Sequence, residues 1–447
     1  MLRDAQGLDV TTDSTKTITA IDQFVDQALS YGKQAESVIL EGIVADPTCA
    51  IAHTYAAAYY LSQESTAGWH QAIPHLREAK RYQAWATERE QLWIKAITAW
   101  AKQDIDQAIA YHQAIADRFP RDLVSIQQAQ YHYFYRGDKE SLLEIAKAVL
   151  PANSENHYLY GMIAFGLEQC HCLQEAESIG RQAIEIDRHD PWAHHAVAHV
   201  METQGRVDEG ISWMETFADS WENCNSMLYT HNWWHVALYY LEKHDQQKVL
   251  SLYDAKVWGR ARQTSSKDQV GAISLLLRLE LRGIEVGEKR WQDLGLHLFP
   301  RIYEHALPFQ DLHYIYALER ARYSEWVQKM LLSMETHALQ VKSQQQKHWT
   351  NIAIPAAKGM VAHARGDWQR TIAFLKPILP KLQTIGGSHA QRDLFEQVYL
   401  NALLHAGQQQ EASYLLEKRR SSRPRATSIH PRLVSIHANQ NLIIKAS

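Results

Sequence analysis

The stretch HYLYGMIAFGLEQCHCLQEAESIGRQAIEIDRHD, residues 157–190, is followed without a gap by PWAHHAVAHVMETQGRVDEGISWMETFADSWENC, residues 191–224, and both have one pattern. Each contains an apolar helical segment, a polar turn and a second amphipathic segment, and small residues recur at equivalent positions. The same pattern starts at Arg89 and at Leu123, so four equal units are consecutive. Their common length, about 34 residues, is that of tetratricopeptide repeats, in which each helix pair buries its apolar face against the neighbouring pairs.

Helical patterns continue on both sides of these four units, and no alternating strand pattern of useful length is present. The sequence therefore predicts an all-α fold in which tetratricopeptide-like helix pairs form a right-handed superhelical solenoid. A polar connection at residues 259–267 indicates a boundary. We expect residues 1–258 to hold the N-terminal repeats with the histidine-rich segments. Residues 259–447 are expected to hold C-terminal helical repeats that pack on the first half as one body.

Composition limits the class of protein. The 447 residues carry a formal net charge of −4, so there is no basic field to attract nucleic acid, and we expect no nucleic-acid partner. No apolar run is long enough to span a membrane, and the N-terminal residues lack the basic and apolar regions of a signal peptide, so we expect a cytoplasmic protein with no membrane partner. The 24 histidines exceed ordinary surface usage, and some of them need a specific role.

The first histidine-rich segment is HHAVAHVME, which begins at His194. In tetratricopeptide repeats as a class, the first helix of each pair lines a concave groove, and its positions 2, 5, 6, 9 and 12 face the ligand. Numbered from Pro191, His195, His199 and Glu202 occupy positions 5, 9 and 12. Residues spaced by four and by seven share one helix face, so these three side chains are predicted to point into the groove. His194, at position 4, is predicted to pack instead.

The second segment is HNWWH, residues 231–235, and a slip of about five residues in the repeat register precedes it. Numbered from Thr230, His231 and His235 occupy groove positions 2 and 6. We therefore expect both imidazoles to face the same groove as the first segment, from the adjacent helix.

Two histidines four residues apart on one helix can bind a single metal ion, as they do in zinc-protease helices. Two such pairs supply three or four nitrogen ligands, and ligand type leaves zinc, iron and manganese open. A bound water with its pKa lowered toward about 7 would then be the nucleophile, with Glu202 as a candidate general base. A metal-free site is also open, because paired imidazoles beside a carboxylate can shuttle protons near neutral pH. In the plainest alternative, the histidines bond one another or the backbone and only keep the groove polar.

Aromatic residues occupy groove positions in the preceding units, among them Trp93 and Tyr131. Such a wall could bind a flat or apolar ligand beside the histidines, although aromatic side chains at helical spacing are as often part of a core. Within the second segment, Asn232 and Trp234 are further candidates for ligand binding, and Trp234 is also expected to pack.

A third segment, TIGGSHAQRDLF, begins at Thr384 and combines two helix-ending glycines with Ser388 and Gln391, whose spacing predicts a capping box. Ser388 and Gln391 are also candidates for ligand binding. Arg392, beside this helix N-terminus, is a candidate anchor for a carboxylate or phosphate of a ligand.

A fourth segment is PFQDLHYIYA, in which Asp311 and His313 are two residues apart. On a helix this spacing places the two side chains on different faces, so they are predicted to cooperate only in a loop or at a helix start.

Together these segments resemble the tetratricopeptide repeat protein 38 family over nearly the full length of the chain, in DPWAHHAVAHVME, HNWWHVALYYLEK, FQDLH and GGSHAQRD. The family pattern carries over onto the polar residues named above and adds Gly386, Gly387 and Asp393. The chain departs from the pattern at Met201, where family members can have a further histidine. The resemblance implies the repeat fold and a polar site built from these motifs, with Asp393 as a ligand-binding residue, but no particular reaction.

Two functions follow from these observations. In the first, the protein is an enzyme, with hydrolysis as the expected reaction, that acts on a small anionic molecule. Its catalytic residues are His195, His199, Glu202, His231, His235, Asp311 and His313, and superhelical closure brings Arg392 and Asp393 across to them. In the second, the protein is a non-catalytic scaffold whose groove binds a peptide or partner protein. Groove positions occupied by His, Trp and Tyr rather than Lys and Arg favour the first function.

Overall fold

The computed structural model describes residues 1–422, with the side chains at positions 343, 344, 421 and 422 left aside. Within this part of the chain there are twenty-three α-helices and one small antiparallel ribbon, in which β1 (Leu2–Arg3) pairs with β2 (Asp9–Val10). Most helices form consecutive pairs joined by short turns. The fold is therefore all-α and tetratricopeptide-like, as the repeat period predicts.

The first thirteen helices are α1 Thr15–Leu29, α2 Ala35–Ala45, α3 Ala50–Leu61, α4 Thr66–Tyr82, α5 Glu88–Ala101, α6 Ile105–Arg118, α7 Leu123–Arg136, α8 Lys139–Ala148, α9 His157–Gln169, α10 Leu173–Ile186, α11 Pro191–Gln204, α12 Val207–Phe217 and α13 Ser226–Glu242. The helices that follow are α14 Gln246–Leu252, α15 Ser266–Leu281, α16 Glu288–Leu296, α17 Pro308–Arg320, α18 Ser324–Gln340, α19 Ser343–His348, α20 Ile354–Ala364, α21 Trp368–Leu375, α22 His389–His405 and α23 Gln409–Ser422.

The predicted repeat starts agree with the helix starts. Helices α7, α9 and α11 begin at Leu123, His157 and Pro191, which are the predicted positions, and α5 begins at Glu88, one residue before the predicted start. Alanines are among the small residues that recur in these units, and those at the equivalent positions, such as Ala164, are fully buried. The sequence therefore identifies these four helix pairs correctly.

The turn within each of these pairs has the same backbone conformation at the same place. A residue with positive φ follows the first helix at Gln103, Gly137, His171 and Gly205, with φ values of 59°, 71°, 67° and 66°. These positions are equally spaced, at the same period as the helix starts. In the first two turns the next residue is an aspartate that caps the second helix through its side chain. The repeat is thus fixed by a left-handed turn residue followed, where aspartate is present, by an N-cap.

One compact unit contains residues 1–200 and 213–229. Its apolar core runs from Val10 to Val200 and is accompanied by a buried ion pair, in which Arg89 of α5 donates to Asp122 over 2.8 Å. Asp122 also accepts a hydrogen bond of 2.8 Å from Trp93 Nε1 and caps α7 by accepting from the Ser125 amide. Every oxygen of this buried carboxylate is therefore used, which is how a buried charge is tolerated.

The other compact unit contains residues 201–212 and, within the part of the chain that the structure describes, residues 230–422. Its centre is α15, in which almost every side chain is buried, and α15 packs against α17 and α22. A helix that is buried on all sides needs apolar residues all round, and the run ISLLLRLEL supplies them. The connection predicted at 259–267 lies inside this unit, between a short π-helical turn at Tyr253–Val257 and α15.

Among the described helices, none combines the length and the apolar character that crossing a bilayer requires.

Several imidazoles are buried without a countercharge, and this bears on stability. Burial lowers the pKa of His132 to about 3 and that of His363 to about 4. Both residues are therefore neutral in the folded protein at pH 7. In the unfolded chain, a histidine has a pKa of about 6.5, so below that pH the unfolded chain takes up protons that the folded protein does not.

We predict that stability is full above about pH 6.5 and falls as the pH is lowered toward the folded-state pKa values. Each such histidine contributes a slope of up to about 1.4 kcal/mol per pH unit. In His132→Gln, urea unfolding at pH 7.5 and 5.5 should show a smaller pH dependence than in the wild type. His189→Gln, at an exposed side chain, is the control and should leave the slope unchanged. Equal slopes in wild type and His132→Gln would contradict the prediction.

Candidate functional site

The first histidine pair lies on α11. The helix begins at Pro191 because Asp190 accepts from the amides of Trp192 and Ala193. From this start, the four-residue spacing brings His195 Nε2 and His199 Nε2 to 3.1 Å of each other. Both side chains are buried, at 2% and 1% exposure. The predicted convergence of this pair is therefore present.

A carboxylate stands behind the first pair. Glu168 of α9 is fully buried, and its Oε1 lies 3.6 Å from His199 Nδ1, while its Oε2 accepts from Gln169. The His195 ring stacks on Trp192 at 4.6 Å between centroids. Sequence reasoning missed Glu168, although a signal for it exists, because Glu168 precedes Glu202 by exactly one repeat unit.

His194, predicted to pack, does so. Its ring stacks on Phe217 at 4.1 Å, and its Nε2 bonds the Arg188 carbonyl at 2.9 Å.

The second pair lies on α13, where the rings of His231 and His235 are 4.9 Å apart between centroids and His231 stacks on Trp234. Glu202 has its Oε2 3.2 Å from His235 Nδ1. Glu202, the candidate general base, thus lies beside the Nδ1 atom of a histidine, as Glu168 does.

Helix α13 starts at Ser226, so it has one more N-terminal turn than the Thr230 register predicts. The reason is that the Asn225 side chain accepts from the Leu228 amide and caps the helix earlier. The left-handed turn residue that follows Gly205 is His244, which comes later than one repeat period would place it. This delay agrees with the predicted slip in register.

The four histidines can supply a metal site. His195, His199, His231 and His235 each offer one nitrogen, and these four nitrogens lie within 4.8 Å of one another. Three of the side chains are buried and His231 is partly exposed. Four imidazole donors suit zinc, iron and other divalent transition metals rather than calcium or magnesium, which prefer oxygen.

Two candidate ligand-binding residues beside the second pair have unsatisfied polar atoms. Asn232 is fully buried, and neither its oxygen nor its nitrogen has a hydrogen-bond partner within the described chain. The indole nitrogen of Trp234 is likewise without one. A buried amide without partners costs about 1–3 kcal/mol for each group, so these atoms are donors and an acceptor that a ligand could satisfy.

The aromatic candidates Trp93 and Tyr131 form hydrogen bonds within the protein. Trp93 is fully buried and donates to Asp122, as described above. The Tyr131 hydroxyl donates to Glu64 over 2.8 Å, and burial raises the pKa of this hydroxyl well above its usual range. Their positions agree with the core interpretation that the sequence left open.

The glycine-rich segment has the predicted helix cap. Ser388 accepts from the Gln391 amide and Gln391 Oε1 accepts from the Ser388 amide, which together form the capping box of α22. Gly387 has a φ of +84°, and a Cβ at this position would lie 2.8 Å from the Phe309 ring. Glycine is therefore required here by both backbone and packing. Arg392, predicted as an anion anchor, donates to the Gly387 carbonyl.

Arg278 joins this segment to the second histidine segment. Its guanidinium lies over the Trp234 ring at 5.5 Å, and it donates to the Ala390 carbonyl over 2.7 Å. It also lies 3.7 Å from Asp393, which forms a 2.5 Å ion pair with Arg419. Arg278 thus contacts both segments, whereas Asp393 forms its ion pairs with arginines of the chain itself.

Asp311 and His313 do not come together, because both lie within α17. Asp311 Oδ2 accepts from His305 Nδ1 over 2.6 Å, whereas His313 Nδ1 donates to the Phe309 carbonyl over 2.7 Å. Burial lowers the pKa of His313 to about 4. Sequence reasoning missed His305, the residue with which Asp311 is paired.

The repeated turns and helix pairs define a tetratricopeptide-like helical repeat protein with a histidine-rich site. No model of a known protein family matches the chain.

Among solved structures, the chain is similar to a Rap protein complexed with competence and sporulation factor, with 12% identity, a TM-score of 0.44, and coverage of 71% of this chain and 96% of that one. It is also similar to the human IFIT1 dimer with PPP-AAAA, with 13% identity, a TM-score of 0.43, and coverage of 96% and 95%. At these values the similarities carry no inference about a ligand.

We predict that Ser388 acts as a helix cap and not as a nucleophile. Ser388→Ala should lower the free energy of unfolding by about 1 kcal/mol, because the Gln391 amide loses its acceptor. Ser388→Thr keeps a capping hydroxyl and should recover most of that loss. Urea unfolding of the three proteins is the measurement. A Thr variant as unstable as the Ala variant would contradict the capping role.

Proposed function

We propose that this protein is a metal-dependent enzyme whose centre is formed by His195, His199, His231 and His235, with hydrolysis of a small molecule as its reaction. The observation that carries the proposal is the convergence of one nitrogen from each of these four imidazoles within 4.8 Å. Hydrogen bonding among histidines needs only pairs, whereas a shared centre for four nitrogens is what a metal ion requires.

The carboxylates support the proposal. Histidines that bind metal usually have a carboxylate or carbonyl at their other ring nitrogen, which fixes the tautomer and raises the basicity of the ligand. Glu168 faces Nδ1 of His199, and Glu202 faces Nδ1 of His235. Each helix therefore has one histidine whose Nδ1 faces a carboxylate, and this leaves Nε2 of that ring for the ion.

Two acidic side chains at the histidines also suit a cation. Glu168 is fully buried beside His199, and Glu202 lies beside His235. Carboxylates next to imidazole ligands make a site more attractive to a divalent cation.

The number of ligands bears on the choice of metal. Four imidazoles complete the tetrahedral shell of zinc, which is the pattern of a structural site. Iron or manganese accepts five or six ligands and would keep positions for a substrate, so these metals suit a catalytic role better. When bound, such an ion supplies Lewis-acid catalysis, which suits hydrolysis.

The chain's own residues would orient the ligand. Glu202 acts as a positioning residue for His235, the partly exposed His231 gives access to the centre, and Asn232 supplies an amide to a bound molecule. An anionic substrate held by Arg392 is not part of this proposal, because Arg392 donates to Gly387 and Asp393 is paired with Arg419.

We predict about one iron, manganese or zinc ion per chain in protein purified without an affinity tag or chelator. Elemental analysis should show the ion lost in a His199→Ala, His235→Ala double variant. A double variant at two exposed histidines, His70→Ala with His189→Ala, is the matched control and should keep the ion. Circular dichroism verifies that all three proteins are folded.

Glu168→Gln and Glu202→Gln provide a finer test, because they keep the shape of the side chain and remove its charge. Each should weaken metal affinity by about 10- to 100-fold, measured by competition with a chelator. If folded wild-type protein binds no iron, manganese or zinc even after incubation with each ion, the metal centre is wrong. The helical repeats would then be a scaffold for a peptide or partner protein.

A further inference from the structure

His305, which is paired with Asp311, also forms a hydrogen bond with a serine hydroxyl group. His305 Nδ1 lies 2.6 Å from Asp311 Oδ2, and His305 Nε2 lies 2.7 Å from the Ser333 hydroxyl oxygen. Serine, histidine and aspartate are thus connected in one line through the two nitrogens of a single imidazole. We propose that Ser333, His305 and Asp311 form a second site, in which Ser333 is the nucleophile that hydrolyses esters of apolar carboxylic acids.

The hydrogen-bond roles are consistent with nucleophilic catalysis. An ionised carboxylate can only accept, so Asp311 holds the proton of His305 on Nδ1 and leaves Nε2 bare. The bare Nε2 is then the acceptor for the Ser333 hydroxyl, and it is the base that takes the proton when the hydroxyl reacts. Asp311 does not touch the substrate and is therefore a positioning residue.

The three residues differ in burial, and a nucleophilic site requires this difference: a buried base and an accessible nucleophile. Asp311 and His305 are 1% and 4% exposed, whereas Ser333 is partly exposed. The base is thus shielded from water and the nucleophile can be reached from solvent. Desolvation also raises the pKa of Asp311, and the hydrogen bond from His305 opposes that rise.

The backbone holds His305 in an unusual conformation. Its φ is +47°, in the left-handed region that residues with a side chain rarely adopt. His305 stands in the short loop between a 3-10 turn at Phe299–Tyr303 and α17, and its bond to Asp311, in the first turns of α17, fixes the ring. Strain of this kind is frequent where a side chain must be held at a functional site.

The surroundings indicate the class of substrate. Leu332, the neighbour of Ser333, is 65% exposed, and Tyr303, two residues before His305, is 63% exposed. Two large apolar side chains are thus exposed within two residues of Ser333 and His305 in the chain, and exposed apolar side chains of this kind suit the acyl chain of an ester. His337 follows Ser333 by one helical turn, and its ring lies 5.2 Å from that of His305. Burial lowers the pKa of His337 to about 4, so it is neutral and has an N–H for the substrate's carbonyl oxygen.

The reaction requires only the ester and water. The Ser333 oxygen bonds to the acyl carbon and its proton passes to His305 Nε2, the bond from that carbon to the alcohol oxygen breaks, and the alcohol leaves with the proton. Water then bonds to the acyl carbon and gives a proton to His305. The bond between Ser333 and the acyl carbon breaks, the acid leaves, and the proton returns to the serine.

The test uses the full chain and diisopropyl fluorophosphate, in which the serine oxygen displaces fluoride from phosphorus. Mass spectrometry of peptides should show Ser333 modified in the wild type at least about 100-fold faster than Ser324, an exposed serine at the start of the same helix. Asp311→Asn should slow the modification of Ser333 by about 100-fold or more, and Ser333→Ala should abolish it. Ser324→Ala is the matched control and should react like the wild type.

Turnover is measured with p-nitrophenyl esters of acetate, butyrate and octanoate. The wild-type rate of hydrolysis should rise with the length of the acyl chain. Ser333→Ala should hydrolyse these esters no faster than buffer alone, and Leu332→Ser should hydrolyse all three at similar rates. Prior treatment with a chelator should change neither labelling nor turnover, which separates this site from the four-histidine centre. If Ser333 of the folded wild type reacts no faster than Ser324, the proposal is overturned, and His305 and Asp311 only anchor the start of α17.

Discussion

A left-handed residue at one fixed place in each helix pair is the constraint on which the rest of the repeat block depends. The second helix can fold back on the first through so short a turn only if one residue takes a positive φ, and Gln103, Gly137, His171 and Gly205 do so once in each repeat. Two of these residues have side chains, and this conformation costs each of them about 1–2 kcal/mol. The packing of buried alanines and glycines in the paired helices must offset that cost, so turn and core fix the register together.

A fixed register also determines which polar side chains meet. Glu168 and Glu202 hold the same position in consecutive repeats, and each lies beside Nδ1 of a histidine on the helix of the following repeat. The carboxylates thus recur at the repeat period, whereas the register slip before the second segment changes the separation from carboxylate to histidine from 31 residues to 33. Within each histidine segment, the spacing of four residues places both imidazoles on one face of the helix. The repeat period therefore positions the carboxylates, and the helix period positions the imidazoles beside them.

The sequence predicts most of what depends on these periods. The helix starts at Leu123, His157 and Pro191, the slip before the second histidine segment, and the cap at Ser388 all follow from local patterns and are present. The extra turn of α13 could also have been read from its cap, Asn225. The role of Trp93 could not be predicted in this way, because its hydrogen-bond partner Asp122 caps a different helix. A ligand-binding aromatic residue and a core aromatic residue also have the same spacing along a helix.

The part that sequence reasoning missed lies beyond the first four pairs. Left-handed turn residues continue at His244, Gly283 and Arg322, each 39 residues after the turn before it, and then at Gly366 and Gly407 after 44 and 41 residues. The period is therefore longer than in the first four pairs and becomes irregular after Arg322. Asp311 was recognised as a polar residue with a role, but the two residues connected to it lie in the preceding loop and on the following helix. Only the three-dimensional packing of α17 on α18 brings His305 and Ser333 to one another.

The two sites share one chemical unit and differ in what completes it. In both, a carboxylate faces Nδ1 of a buried imidazole, which favours the proton on that nitrogen and leaves Nε2 as a base. In the histidine-rich segments, the Nε2 atoms of His195 and His199 face each other at 3.1 Å, an arrangement that a shared cation stabilises. At His305, the same nitrogen faces a serine hydroxyl at 2.7 Å, an arrangement that favours transfer of a proton. The neighbour of Nε2, rather than the carboxylate–imidazole pair itself, therefore decides whether such a pair serves as a metal ligand or as a general base.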